Sequence, residues 1–517
     1  MKLRLWRVVL IPIFGILVSC TNEVDSLVHE EDFSVEDVES TSPHHIPISK
    51  ALSSLESIME SMGMDNTRAM NRSNWTVTRV PMSTFKPQTR TGSAEVADAL
   101  YVVDFEEGGY AILSADDRLP DEVIAVTNSG DLEFNPNPLE DPVLTLDDLY
   151  VEEDDDYLLG SEPRNDGTSA GFIEGLVANY VIGWTDSLRD DEDEFGDPML
   201  PPGGGNIGGG DSGGGTEDLV FEYSYRSDML SDEKLRTVWH QESPYNDQCD
   251  KRYHYKGLLG IKYSFVENYD YDTSRKDDEL IYVEDLYAGC VAIATAQILA
   301  YNKYPILGDI IGVDDAKDWE WLFVDYNTIA DIEKRNEFLD EQEDCFARLC
   351  HYVGEGCDMN YGFMGTDYSF ATPNAAKKYL QKLGYTNVVR HIGYDDSIVK
   401  AQIEKDCPVL LGAMPRHGVN GHAWVIDGYK ITDKICTIKL PNGTFVSEIV
   451  VDSTNYVHCN WGWGGSCDGW FSSTLLDTDD YIDVADAESY DDSSSSFESS
   501  AYTWLFRMVT YDKPIVQ

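Results

Sequence analysis

Between Gly289 and Pro305 the chain reads GCVAIATAQILAYNKYP, and no other stretch restricts the possible folds as much. From Val291 to Asn302 the only polar side chains are Thr295, Gln297, Tyr301 and Asn302, so the sequence predicts a helix buried on nearly all sides and stopped by Pro305. Cys290 falls in its first turn. There, unpaired backbone N–H groups and the positive end of the helix dipole both favour a thiolate over a thiol. The competing reading is a small buried thiol packed like an alanine, since free Cys is among the most buried residue types.

Two further stretches favour the nucleophile. Gly421 to Tyr429, GHAWVIDGY, reads as a strand with His422 at its start, 132 residues after Cys290. A cysteine near the start of a domain with a histidine that far downstream is the arrangement expected of papain-like hydrolases. Next, His458 to Gly465 reads HCNWGWGG. The amide oxygen of Asn460 is suited to accept a hydrogen bond from the imidazole and fix its tautomer, and the indole of Trp461 to keep water off that bond. Upstream, WHQESPYN supplies Gln241, an amide donor suited to share an oxyanion hole with the Cys290 N–H.

Together these blocks resemble the streptopain-like cysteine peptidases. The matching segments are WHQESPYN (239–246), AGCVAIATAQILAYNKYP (288–305), VGEGCDMNYG (353–362), GHAWVIDGY (421–429) and NWGWGG (460–465), in the family's order. The resemblance implies an α+β, papain-like fold of two lobes, one helical and one an antiparallel sheet, preceded by a small α+β prodomain that inhibits it. It implies Cys290 as nucleophile and His422 as base, acting as a dyad shielded by Trp461, with Asn460 as a third member. The loop after Gly362, FMGTDYSF, departs from the family pattern, so side-chain preference does not carry over.

The expected organisation is a signal peptide over 1–19, a tether over 20–43, a prodomain over 44–200, a Gly-rich linker over 201–220 and the peptidase domain over 221–517. Lys2, Arg4 and Arg7 precede an apolar run from Val8 to Val18 that is too short to span a bilayer. Leu17-Val-Ser-Cys20 resembles a bacterial lipobox, which implies lipid on Cys20, export, and a membrane-anchored protein at the outer membrane or cell surface. An ordinary secretory signal is the competing reading. No second stretch approaches transmembrane length.

Behind the tether, 45–64 has helical spacing, and 99–105, 109–118 and 122–130 read as three successive strands. A separate small binding domain would look the same. The linker PPGGGNIGGGDSGGG is the expected place for proteolytic release, with a cleavage window from Gly203 to Arg236. In the peptidase region helices are expected over 341–353 and 373–383, and a hairpin around Asn442-Gly443. The Tyr-rich stretch between Asn246 and Gly289 reads as a surface connection.

The net charge of −56 argues against nucleic acid as a partner, since phosphate binding needs clustered Lys and Arg. Beyond Cys20 and Cys290 there are eight cysteines, which an exported chain invites to pair, although sequence cannot give the pairing. Cys345 and Cys350 do not share a helix face. Cys459 and Cys467 are placed to brace the NWGWGG turn, and buried free thiols are the alternative. No metal-binding spacing appears, no cofactor is implied, and His458 reads as a strand residue. The function expected is a cysteine endopeptidase made as a zymogen, acting on proteins or peptides through a Cys–His pair and a thioester. A catalytically idle papain-like lipoprotein that binds peptides or proteins is the rival reading, and a transpeptidase or amidase using the same thioester is a third.

Overall fold

The computed structural model describes residues 42–64, 75–85, 97–106, 108–132, 134, 150–151, 156–157, 159, 172–187, 219–257, 261–266, 279–312, 318–362, 368–415, 421–477 and 504–514. Cys20 with its signal and tether, the Gly-rich linker, and most of the loop after Gly362 lie outside these residues. Among the described residues no helix is long and apolar enough to cross a membrane.

An eleven-stranded antiparallel sheet runs through both halves of the chain. Its order is Trp75–Pro81, Asp98–Phe105, Tyr110–Ser114, Val123–Thr127, Gly469–Ser472, Phe445–Asn460, His422–Lys439, Val409–Pro415, Trp504–Asp512 and Thr386–Ile392. Val220–Ser231 joins the outer half of His422–Lys439. The expected prodomain strands therefore do not stand apart: Val123–Thr127 pairs directly with Gly469–Ser472, Gly469 facing Thr127. Three features had no clear signal in the sequence. They are the strand Trp75–Pro81, the strand Val220–Ser231, and the folding of the Tyr-rich stretch into a three-stranded sheet of Lys251–Lys256, Lys262–Val266 and Glu279–Asp285.

Side chains alternate across the sheet with a period of two. Leu410, Ala423, Val425 and Val509 face the helical lobe, where they meet the central helix Cys290–Asn302, the long helix Ile332–Gly356 and Pro373–Lys382. Leu411, Trp424, Ile426 and Met508 face the other way, against Phe172–Ser187. The central helix is buried from Cys290 through Ala300, as its composition requires. The flanking helices begin on caps: Asp331 accepts from the N–H groups of Glu333 and Lys334, and Thr372 from that of Ala375, with Pro373 at the first helical position. The Asn442-Gly443 hairpin forms, and its strands are longer than expected, His422–Lys439 and Phe445–Asn460.

All nine described cysteines are buried, and none is in a disulfide among the described residues. Cys459 and Cys467 do not bridge the NWGWGG turn. The turn is instead held by the Trp461 indole, which donates to the Cys467 carbonyl at 3.0 Å.

Candidate active site

Cys290 is the first residue of the central helix, and Gly289 before it sits at φ +90°. A side chain there would be strained, and its Cβ would stand 2.6 Å from the Met359 methyl, so glycine is required. The Cys290 thiol is buried and donates to the carbonyl of Leu159 at 3.8 Å. Leu159 in turn forms a two-way backbone bridge with Ala371, its N–H donating at 2.7 Å and its carbonyl accepting at 3.2 Å. Its side chain fills a notch that exists because Gly412 and Gly421 lack side chains: a Cβ on either would come within 2.3 and 2.9 Å of it. Leu159 therefore touches both the Cys290 sulfur and the residue preceding His422, so the chain brings the two expected partners to either side of one leucine.

The imidazole itself turns away. His422 shares the sheet face of Trp424, and its ring lies 5.4 Å from Phe172, edge to face, and 4.7 Å from Trp463, stacked. Its Nε2 lies 2.8 Å from the carbonyl oxygen of Trp461. Burial drives its pKa down to about 3, which the Trp461 carbonyl only partly offsets. A neutral imidazole cannot form the thiolate–imidazolium pair that the sequence suggests, so that pair is not assembled in this state.

The hydrogen bond expected from the imidazole to the Asn460 oxygen is absent among the described residues. The Asn460 oxygen accepts from Gln297 at 2.8 Å and from the Gly462 N–H at 3.2 Å, and its NH2 donates to the Thr237 carbonyl at 2.8 Å. Asn460 thus ties the central helix to the segment before Gln241, and a main-chain carbonyl takes the role expected of its side chain. Trp461 is fully buried beside the imidazole, 6.4 Å between rings, but Trp463 lies closer. Both indoles belong to NWGWGG, so Trp463 was available to sequence reasoning. Leu159 and Phe172 were not, since neither lies in a motif.

Gln241 is 1 % exposed, and neither polar atom of its side chain has a hydrogen-bond partner among the described residues. Its carbonyl accepts from the Ala288 N–H at 2.9 Å, which fixes it beside the turn leading into Cys290. A buried amide without partners is costly, and catalytic groups are among those retained at that cost.

Residues 239–471 match the Peptidase C10 family. This stretch is similar to the C10-family cysteine peptidases. Streptopain of Streptococcus pyogenes is 27 % identical to the chain over 214 residues, 36 % of this chain and 46 % of streptopain. The thiol protease/hemagglutinin PrtT of Porphyromonas gingivalis is 24 % identical over 212 residues, 37 % of this chain and 21 % of that protein. The chain thus spans about half the length of the streptopains it matches or less. Among solved structures, a fragment of Prevotella intermedia prointerpain A aligns over 85 % of this chain and all of its own, at 18 % identity and a TM-score of 0.38. The motif residues Gln241, Cys290, His422 and Trp461 all fall inside the matched stretch.

Proposed function

We propose that this chain is a latent cysteine endopeptidase, covered in its intact form by its own amino-terminal half. The observation that carries this reading is Leu159, whose carbonyl sits on the Cys290 thiol and whose side chain fills the glycine-lined notch beside His422. A segment bridged to Ala371 through both its N–H and its carbonyl occupies the cleft as an extended peptide would.

Once Leu159 and Phe172 withdraw, the start of the strand at His422 is free to shift, so that the imidazole passes from the Trp424 face to the Cys290 side and takes the thiol proton. The thiolate attacks the scissile carbonyl, and the oxyanion forms against the Gln241 amide and the Cys290 N–H. The imidazolium then protonates the departing amine, and water deprotonated by the neutral imidazole hydrolyses the thioester. Release is proposed to follow cleavage in the Gly-rich linker. Because Val220–Ser231 is paired into the sheet, the cut falls ahead of it rather than later in the window to Arg236. The lipobox ending at Cys20 supports export and lipid anchoring at the outer membrane or cell surface.

Labelling with a thiol-alkylating peptide inhibitor tests this reading. The linker-cleaved chain should label at Cys290 and cleave peptides, and Cys290→Ala should do neither. A cleaved chain that binds peptides without turnover would leave the idle binder standing instead.

A further inference from the structure

A second cavity lies on the helical lobe, between the segment Lys234–Thr237, the end of the central helix and the carboxy-terminal strand. Its volume is about 370 Å3. Lys234, Arg236, Lys303 and Lys513 line it, four of ten lining residues, in a chain where Lys and Arg are only 38 of 517. In a molecule with a net charge of −56, such a cluster runs against the whole surface.

The four cations are spaced by two carboxylates. Asp406 accepts from Lys234 at 2.8 Å and also from Lys513 and the Tyr301 hydroxyl, and Glu320 accepts from Arg236 at 3.1 Å and from Lys303. An excess of two positive charges remains. Each lysine spends one of its three N–H donors on these pairs, and Arg236 one nitrogen of its fork, so most of the donor capacity is uncommitted. Arg236 also lies over the Phe323 ring at 4.5 Å and Lys513 over that of Tyr301 at 5.0 Å, which fixes their directions. Exposed ion pairs contribute little to stability, so stability does not account for gathering four cations here.

The wall is rigid. The N–H groups of Lys234 and Leu235 donate to Asp427 at 2.8 and 2.6 Å, and the Thr237 carbonyl accepts from Asn460 at 2.8 Å. Thr237, 2 % exposed, also borders the cavity.

We propose that this cavity binds a sulfate or phosphate monoester carried on a sugar-sized body. A tetrahedral oxyanion offers several acceptor oxygens to donors converging from different sides, which three ammonium groups and a guanidinium fork supply. The volume admits a body of that size. The site is independent of the peptidase reading, and Cys290→Ala chains serve to test it.

Calorimetric titration of the full-length Cys290→Ala protein with glucose 6-phosphate and with a sulfated disaccharide tells a phosphorylated metabolite from a sulfated glycan. At least one should bind saturably, and glucose should not. The double variant Lys303→Gln/Lys513→Gln should weaken binding at least tenfold, and Lys262→Gln, on the small sheet, should not. Failure of both sugar esters to bind, or equal binding by the double variant, would overturn the proposal. The Cys290→Ala titrations decide it even where the double variant does not fold.

Discussion

The carbonyl oxygen of Leu159 lies 3.8 Å from the sulfur of Cys290, and the leucine side chain fills the space that Gly412 and Gly421 leave open. The intact chain thus covers its own Cys290 thiol. Truncating a buried leucine to alanine costs roughly 2–5 kcal/mol, and each ~1.4 kcal/mol is tenfold in an opening equilibrium. Leu159→Ala should therefore raise the rate of Cys290 alkylation by iodoacetamide in the uncleaved protein at least tenfold, followed by peptide mass spectrometry. An unchanged rate would mean that Leu159 does not hold the cover shut.

Gln241 should show stability and activity moving in opposite directions. Its buried amide has no partner among the described residues, and an unsatisfied buried polar group costs about 1–3 kcal/mol. Gln241→Leu, similar in volume, should raise the Tm of the intact chain while lowering kcat of the cleaved enzyme by roughly 10² to 10³. Thermal unfolding and peptide hydrolysis on the same preparations check both halves. A variant that is less stable and equally active would assign Gln241 a packing role.

The motifs made the elements around the site legible, because each carries a local physical signal. The predominantly apolar run after Cys290 pointed to a buried helix, and the alternation after His422 to a strand. Asn442-Gly443 marked the hairpin between the two longest strands. What the sequence hid depends on long-range packing. The imidazole's partner is a main-chain carbonyl at Trp461, and any residue type supplies one. Leu159 lies in an acidic stretch with no periodicity, and its place is set by glycines more than 250 positions later. Asn460 was assigned from its neighbours in NWGWGG, but its hydrogen bonds go to Gln297, Gly462 and Thr237.

His458 and Asp427 form a buried pair, Nδ1 to Oδ1 at 2.6 Å, whose carboxylate also holds the Lys234 and Leu235 N–H groups. Burial alone would lower the His458 pKa, yet the Asp427 charge and hydrogen bond outweigh it and raise it. Removing one partner of a buried pair costs roughly 3–5 kcal/mol. Asp427→Ala should lose about that much near pH 6. Because the folded pKa of His458 is raised, the pair's contribution is complete below about 6.5 and is lost as pH rises through the folded value. The stability gap between wild type and Asp427→Ala should therefore narrow above pH 7, as read by urea unfolding across pH 5 to 9.

His422 should behave with the opposite sign. Its folded pKa is driven down to about 3 by burial beneath Phe172 and Trp463, against an ordinary value near 6.5. The unfolded chain, or one in which the helix Phe172–Ser187 has lifted, binds a proton that the covered state refuses. Stability from the neutral ring is thus complete above about 6.5 and is lost as pH falls toward 3, a loss of order 3–5 kcal/mol. Asp468, fully buried and raised to about 7 chiefly by burial, pulls the other way over part of this range, so the informative quantity is a difference between chains. Wild type should lose stability relative to His422→Leu between pH 6.5 and 4, measured by urea unfolding of Cys290→Ala proteins. The same proton that destabilises the covered state favours an exposed, charged imidazole, so Cys290→Ala protein should grow more sensitive to chymotrypsin within Phe172–Ser187 on mild acidification. His422→Leu should not share that gain. Parallel pH curves for the two chains would show that His422 is not titrating out of a closed pocket and would remove the electrostatic part of the latency account.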